Sequence, residues 1–176
     1  MDTQSESQFR EFVEARSLAL RRTAYALAGD LHRAEDLVQG ALIKLAGRWH
    51  KVDDPEAYVR RIIYHDHVSW WRRRSSSHEV PVPATPDRSA GDPSERVDRR
   101  LDLQRALLLL TPRQRAVILL RFYEDRPERE IADILGCSVG TVRSQTSRAL
   151  ARLRRVAPEL GPEPTIPLSA PRKAPA

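Results

Sequence analysis

Between Cys137 and Arg155 the chain reads CSVGTVRSQTSRALARLRR, which holds five arginines and no acidic residue. Like charges on neighbouring turns of a helix repel, so a solvated surface helix gains nothing from this composition, whereas a helix facing an anion does. Guanidinium groups form paired hydrogen bonds to phosphate and to base edges. The charge of the whole chain has the same sign, +6 at pH 7 with a sequence pI near 10.1. Its distribution is uneven: residues 98–156 carry 13 basic and 7 acidic side chains, while residues 1–74 carry 13 and 11. Arginine supplies 27 of the 30 basic residues, against Lys44, Lys51 and Lys173. That bias suits phosphate recognition, but a high-GC genome also produces it.

A second chemistry-bearing stretch is Trp70-Trp71, followed by Arg72, Arg73 and Arg74. Adjacent helical residues cannot both face one core, so one tryptophan is expected on a basic surface. Aromatic and basic groups together grip single-stranded nucleic acid by stacking on bases and neutralising phosphates. The competing reading packs both rings against the first two helices.

Other reactive residues assemble nothing. His65 and His67 lie two apart, about 200° around a helix, and so cannot chelate one ion. His32, His50 and His78 are scattered and read as surface residues. Cys137 is the single cysteine, which excludes an intrachain disulfide and a cysteine zinc site. No nucleophile, base and orienting group read together. An enzyme, a cofactor and a metal are therefore not expected.

These residues need elements to position them. In EREIADILGCSVGTVRSQ, Ala132 is small where two helices would cross, Gly136 tolerates positive φ in a turn, and Val142 is apolar on the second helix. This is a helix-turn-helix pattern, with Ile131 and Leu135 on the inward face and Ser138 as N-cap. On the second helix Val142, Ala149, Leu150 and Leu153 point inward. Arg143, Ser144, Ser147, Arg148 and Ala151 fall on the opposite side, where such a motif meets the major groove. Gly140 weakens the helix start by about 1 kcal/mol relative to alanine, and close approach to the backbone is its expected gain.

Three helices are predicted in the first 74 residues. In the first, Gln8 to Ala28, the apolar residues Phe9, Phe12, Val13, Leu20, Ala24 and Leu27 recur at helical spacing. Gly29-Asp30 breaks and recaps the chain. The second, Leu31 to about Gly47, turns Leu31, Ala34, Leu37, Val38, Ala41, Leu42 and Leu45 inward, with Arg33, Glu35, Asp36, Gln39 and Lys44 opposite. Asp54 caps the third, which Pro55 opens and which runs to about Arg74 with Ala57, Tyr58, Ile62, Ile63 and Val68 as its core. Residues 75–97, with four prolines between Ser75 and Glu95, read as a flexible linker. Helices resume near Val97, one through Leu110, a second capped by Thr111 and started by Pro112, and a third after Pro127. Residues 157–176, with six prolines, read as a disordered tail. The fold class is all-α, two small helical domains joined by a linker. No apolar run is long enough to span a bilayer and the N-terminus lacks an apolar leader, so a cytoplasmic location is expected.

Over residues 8–156 the chain resembles bacterial sigma factors of the extracytoplasmic-function class, near their SigE-like group. AEDLVQGALIKLAGRW resembles the core-polymerase-binding helix of sigma region 2, and DPEAYVRRIIYHDHVSWWRRR resembles its promoter-melting part. LTPRQRAVILLRFYEDRPEREIADILGCSVGTVRSQTSRALARLRR is similar to sigma region 4. The resemblance implies polymerase binding through Glu35, Asp36 and Gln39. It implies capture of the promoter −10 element by the loop Trp49 to Asp54, with Trp49, His50 and Lys51, and melting by Trp70, Trp71, Arg72 and Arg73. It implies −35 recognition by Thr141, Arg143, Ser144, Gln145, Ser147 and Arg148; Gln145 stands where the family often has a basic residue. The partners implied are core RNA polymerase and promoter DNA; an anti-sigma factor is a further candidate that the sequence leaves open, and a monomer is the simplest expectation. A helix-turn-helix regulator that is not a polymerase subunit is the alternative.

Overall fold

The computed structural model describes residues 3–75 and 103–158, with side chains through 73 in the first segment. The expected linker from residue 76 on, the start of the fourth helix and the tail from residue 159 lie outside the described residues. The chain divides into two compact units, Met1–Arg73 and Arg74–Ala176. Every regular element among the described residues is helical.

In the first unit, α1 (Thr3–Ala28) and α2 (Leu31–Ala46) form a hairpin. Gly29 makes the turn with φ 73°, a conformation that costs glycine nothing. Asp30 Oδ1 then accepts the backbone N–H of Arg33 at 2.8 Å, a cap that contributes about 1 kcal/mol. Between the two helices lie Leu20, Ala24, Leu27, Ala34, Leu37, Val38, Ala41 and Leu45, all buried. α1 starts five residues before its predicted beginning. The extension is held from outside: Ser5 is buried and its hydroxyl pairs with His50 Nδ1 at 3.4 Å.

Leu31 departs from the predicted core and is 65% exposed. It is the first residue of α2, level with the end of α1, so no partner helix remains to cover it. A short 3₁₀ turn, Trp49–Lys51, leads on to α3 (Pro55–Ser75). Asp54 Oδ1 caps α3 by accepting Ala57 N–H at 2.9 Å.

Of the predicted core of α3 only Ile63 is fully buried. Val59, Arg60, Ile63, Tyr64, His67 and Ser69 are buried, while Ala57, Tyr58, Ile62 and Val68 are only partly covered. Arg60 is able to go inside because Glu56 accepts from both its Nε (3.2 Å) and Nη2 (2.8 Å), and a paired, hydrogen-bonded charge loses most of its desolvation penalty. Further ion pairs tie α3 to its neighbours, Arg16 to Glu56 at 3.2 Å and Lys44 to Asp66 at 2.6 Å.

The second unit begins, within the described residues, with helix α4 over residues 103–108. α5 (Pro112–Ile118) follows; Thr111 and Gln114 form a reciprocal capping box and Pro112 occupies the first turn. Arg115 is buried and staples the two helices, its Nε donating to Leu107 O at 2.8 Å and its Nη2 to Leu108 O and Leu110 O. Burial pushes its guanidinium down to about 10, so it stays cationic at neutral pH. The predicted continuous helix instead widens into a π-helical segment, Leu119–Tyr123. α6 (Glu128–Leu135) and α7 (Val139–Val156) complete the unit. Ala157, expected to open the tail, is instead buried against the end of α7.

Candidate nucleic-acid interface

The turn between α6 and α7 is built as its residue types require. Gly136 closes α6 with φ 60° and ψ 47°, and the N–H groups of Gly136 and Cys137 both return to Ala132 O. Ser138 Oγ accepts Thr141 N–H at 3.1 Å and starts α7. Ile131, Ala132 and Leu135 are buried together with Val142, Ala149 and Leu153, so the inner side of α7 is seated on α5 and α6. Leu150, predicted inward, is only partly covered.

Opposite that apolar side, Gly140, Arg143, Ser144, Ser147, Arg148 and Ala151 are exposed. At about 100° per residue, Gly140, Ser144, Ser147 and Ala151 fall within one narrow strip. Small side chains thus run down the middle, with Arg143 and Arg148 flanking them. A β-carbon built on Gly140 would meet only Ser138 Oγ, at 3.8 Å, so no described part of the chain itself requires glycine there. The remaining candidates, Thr141 and Gln145, are half-buried at the edge of the strip. Thr141 is further engaged: its hydroxyl lies 2.9 Å from Ser138 Oγ and its carbonyl accepts from Ser144 Oγ at 3.0 Å. Arg143 Nε donates to Glu128 Oε2 on α6 at 2.7 Å. Glu128 was not among the sequence candidates, because a separation of fifteen residues carries no periodic signal.

The first unit holds the other candidates on three surfaces. Glu35, Asp36 and Gln39 are exposed on α2, and Leu31 and Ile43 stand exposed at the same four-residue spacing as Glu35 and Gln39. Trp49 is half-buried, its ring 5.3 Å from that of Phe9 and 5.7 Å from that of Phe12. It anchors the 49–51 turn onto α1, which leaves His50 and Lys51 as the exposed members.

Trp70 and Trp71 are both half-buried and meet edge to face at 4.9 Å, with Arg72 and Arg73 exposed beyond them. Neither predicted alternative holds in full, since one ring is not wholly outside nor are both in the core. Arg33, expected only on the polar side of α2, lies over the Trp70 ring with 4.4 Å to its centroid. Burial lowers its pKa, opposed by the charges of Asp36 and Asp66 and reinforced by Arg73. Cys137 is half-buried in the turn. Among the described residues no group of three or more His, Cys, Asp or Glu could hold a metal ion.

The sequence matches the family model for sigma-70 region 2 over residues 12–77 and that for sigma-70 region 4 over residues 100–153. It is 42% identical over 150 residues to the RNA polymerase sigma-E factor of Streptomyces avermitilis, an alignment covering 84% of this chain and 83% of the relative. The chain belongs to the RNA polymerase sigma factors. It is also similar to the ECF RNA polymerase sigma factor SigE of Mycolicibacterium smegmatis, 35% identical over 152 residues, covering 82% of this chain and 59% of that one. Among solved structures it is similar to the sigma factor RpoE of Bartonella quintana, crystallised with the anti-sigma factor NepR. The TM-score is 0.61 at 26% identity, covering 85% of this chain and 96% of that one. The helix-turn-helix is thus the end of sigma region 4, and α1 to α3 supply region 2.

Proposed function

We propose that this sigma factor binds core RNA polymerase and directs it to particular promoters, with α7 reading the −35 element. The observation that carries the reading is the outward strip of α7, where Arg143, Ser144, Ser147 and Arg148 stand together on a helix whose Val142, Ala149 and Leu153 are buried on the other side. Small residues along the centre let the helix sink into a major groove, and the flanking arginines reach base edges and phosphates.

Region 2 then acts on the −10 element. His50 and Lys51, on the turn that Trp49 anchors, reach the duplex. Trp71 traps an unpaired base by stacking, Trp70 supports it from beneath Arg33, and Arg72 and Arg73 neutralise phosphates. Glu35, Asp36 and Gln39 on α2 form the polymerase contact, with Ile43 adding apolar area. The chain is not itself an enzyme: polymerase performs the chemistry, and melting is driven by binding flipped-out bases. It works in the cytoplasm as a monomer until it joins polymerase. The anti-sigma complex of the Bartonella quintana relative supports an anti-sigma protein as a further partner.

The test is run-off transcription with core polymerase from a high-GC bacterium on a library of promoter fragments. Discrete start sites that depend on the chain are expected. Sequence-specific duplex binding by the chain alone, without any chain-dependent transcript, would refute the polymerase role.

A further inference from the structure

Glu128 is the first residue of α6 and Arg143 stands on the outward side of α7, yet their side chains meet, Arg143 Nε donating to Glu128 Oε2 at 2.7 Å. The arginine side chain is 69% exposed and the glutamate 34%. Glu128 is therefore the more enclosed partner, and it holds a side chain that is otherwise free in solvent.

A guanidinium has two edges that can make paired hydrogen bonds, the side edge through Nε and the end edge formed by Nη1 and Nη2. The glutamate occupies the side edge. What remains for a second bidentate partner is the end edge, on a residue sharing its strip with Gly140, Ser144 and Ser147. Guanine O6 and N7 in the major groove accept this paired geometry. We infer that Glu128 is a specificity-determining positioning residue, which fixes Arg143 so that its terminal Nη1 and Nη2 edge is presented to a guanine of the promoter. The inference rests on the reading of α7 as the −35 recognition helix.

Two effects of the carboxylate act together. It fixes the rotamer of a long flexible side chain before binding, which lowers the entropy lost on docking at the correct base. It also neutralises one arginine and repels phosphate, which weakens binding on every sequence alike. Only the first effect raises the ratio of specific to non-specific affinity, and the two predict opposite signs when the carboxylate is removed.

The experiment uses the full chain with labelled duplexes: a promoter found by run-off transcription, single-base-pair replacements across its −35 element, and a scrambled duplex. Glu128→Gln keeps the shape and removes the charge. It should weaken binding to the promoter about two- to fivefold, the scale of one partly exposed ion pair, while binding to the scrambled duplex holds or strengthens. Discrimination should fall at the same base pair at which Arg143→Ala loses it, and the double variant should be no worse than Arg143→Ala alone. Equal weakening on both duplexes would mean a merely structural role, and equal strengthening would mean bulk electrostatics; either overturns the inference. Loss of discrimination by Arg143→Ala with none by Glu128→Gln overturns it while leaving the helix reading intact. If Arg143→Ala loses no discrimination at any base pair, both fall.

Discussion

The guanidinium of Arg33 lies 4.4 Å from the centroid of the Trp70 ring, joining α2 to α3. One face of Trp70 is therefore closed to a stacked base, while its edge contact orients Trp71. The two adjacent tryptophans consequently have different tasks.

Trp70→Ala removes the platform under Arg33 and the support beside Trp71. A half-buried aromatic with a cation on its face contributes about 1–3 kcal/mol, so the thermal midpoint of the chain should fall. Trp71→Ala should leave that midpoint within a few degrees and still slow promoter opening. Calorimetry measures the first effect and permanganate reactivity of promoter thymines the second. Full reactivity with Trp71→Ala would take that ring out of melting.

Asp36→Arg reverses the charge at the centre of the exposed side of α2 without touching the buried residues of that helix. Co-elution with core polymerase should be lost while far-ultraviolet circular dichroism is unchanged. Gln39→Ala, one turn further on, should weaken the complex less, because it deletes a contact without adding a repulsive charge. Intact co-elution of Asp36→Arg would place the polymerase contact elsewhere.

Gly136 and Gly140 should respond oppositely to alanine. Gly136 holds φ 60°, which a β-carbon opposes, so Gly136→Ala should cost about 1 kcal/mol. Gly140 lies in the first turn of α7, where a β-carbon would meet Ser138 Oγ at an ordinary 3.8 Å, and Gly140→Ala should stabilise the free chain by about 0.5–1 kcal/mol. The same methyl group would stand in the strip proposed to approach DNA, so duplex affinity should fall as stability rises. Urea titration and duplex binding on one protein preparation decide the matter, and unchanged affinity would show that DNA does not come close at that position.

Arg115→Ala would remove one donor from each of the carbonyls of Leu107, Leu108 and Leu110. Leu107 O keeps the N–H of Leu110, Leu108 is half-buried, and a buried acceptor left without a partner costs about 1–3 kcal/mol, so a loss of about 1–3 kcal/mol is expected by chemical denaturation. Arg115→Lys should recover only part of it, since an ammonium cannot span three carbonyls as the planar fork does. A loss below 1 kcal/mol would mean that water replaces the arginine.

Much of the architecture was legible because its signals are local. Asp30, Asp54, Thr111 and Ser138 each cap a helix through a bond to a residue three positions on, and such bonds depend on residue type and spacing alone. Ala132, Gly136 and Val142 specify the helix-turn-helix in the same way, within ten residues. The outward placement of Arg143, Ser144, Ser147 and Arg148 follows from helical period once Val142 and Ala149 are set inside.

Tertiary structure alone decided what polar and aromatic side chains do once helices meet. Apolarity misplaced the buried side of α3, because Arg60 enters paired with Glu56 and His67 enters too, while Tyr58 and Ile62 stay half outside. Leu31 is exposed because α1 ends beside it, and Trp49 turns inward because Phe9 and Phe12 wait on α1. The pairs Arg33 with Trp70 and Glu128 with Arg143 join residues far apart in the chain. Helix period and capping arise between neighbours in sequence and are written there; a charge finds its partner only after the backbone has brought two distant helices together.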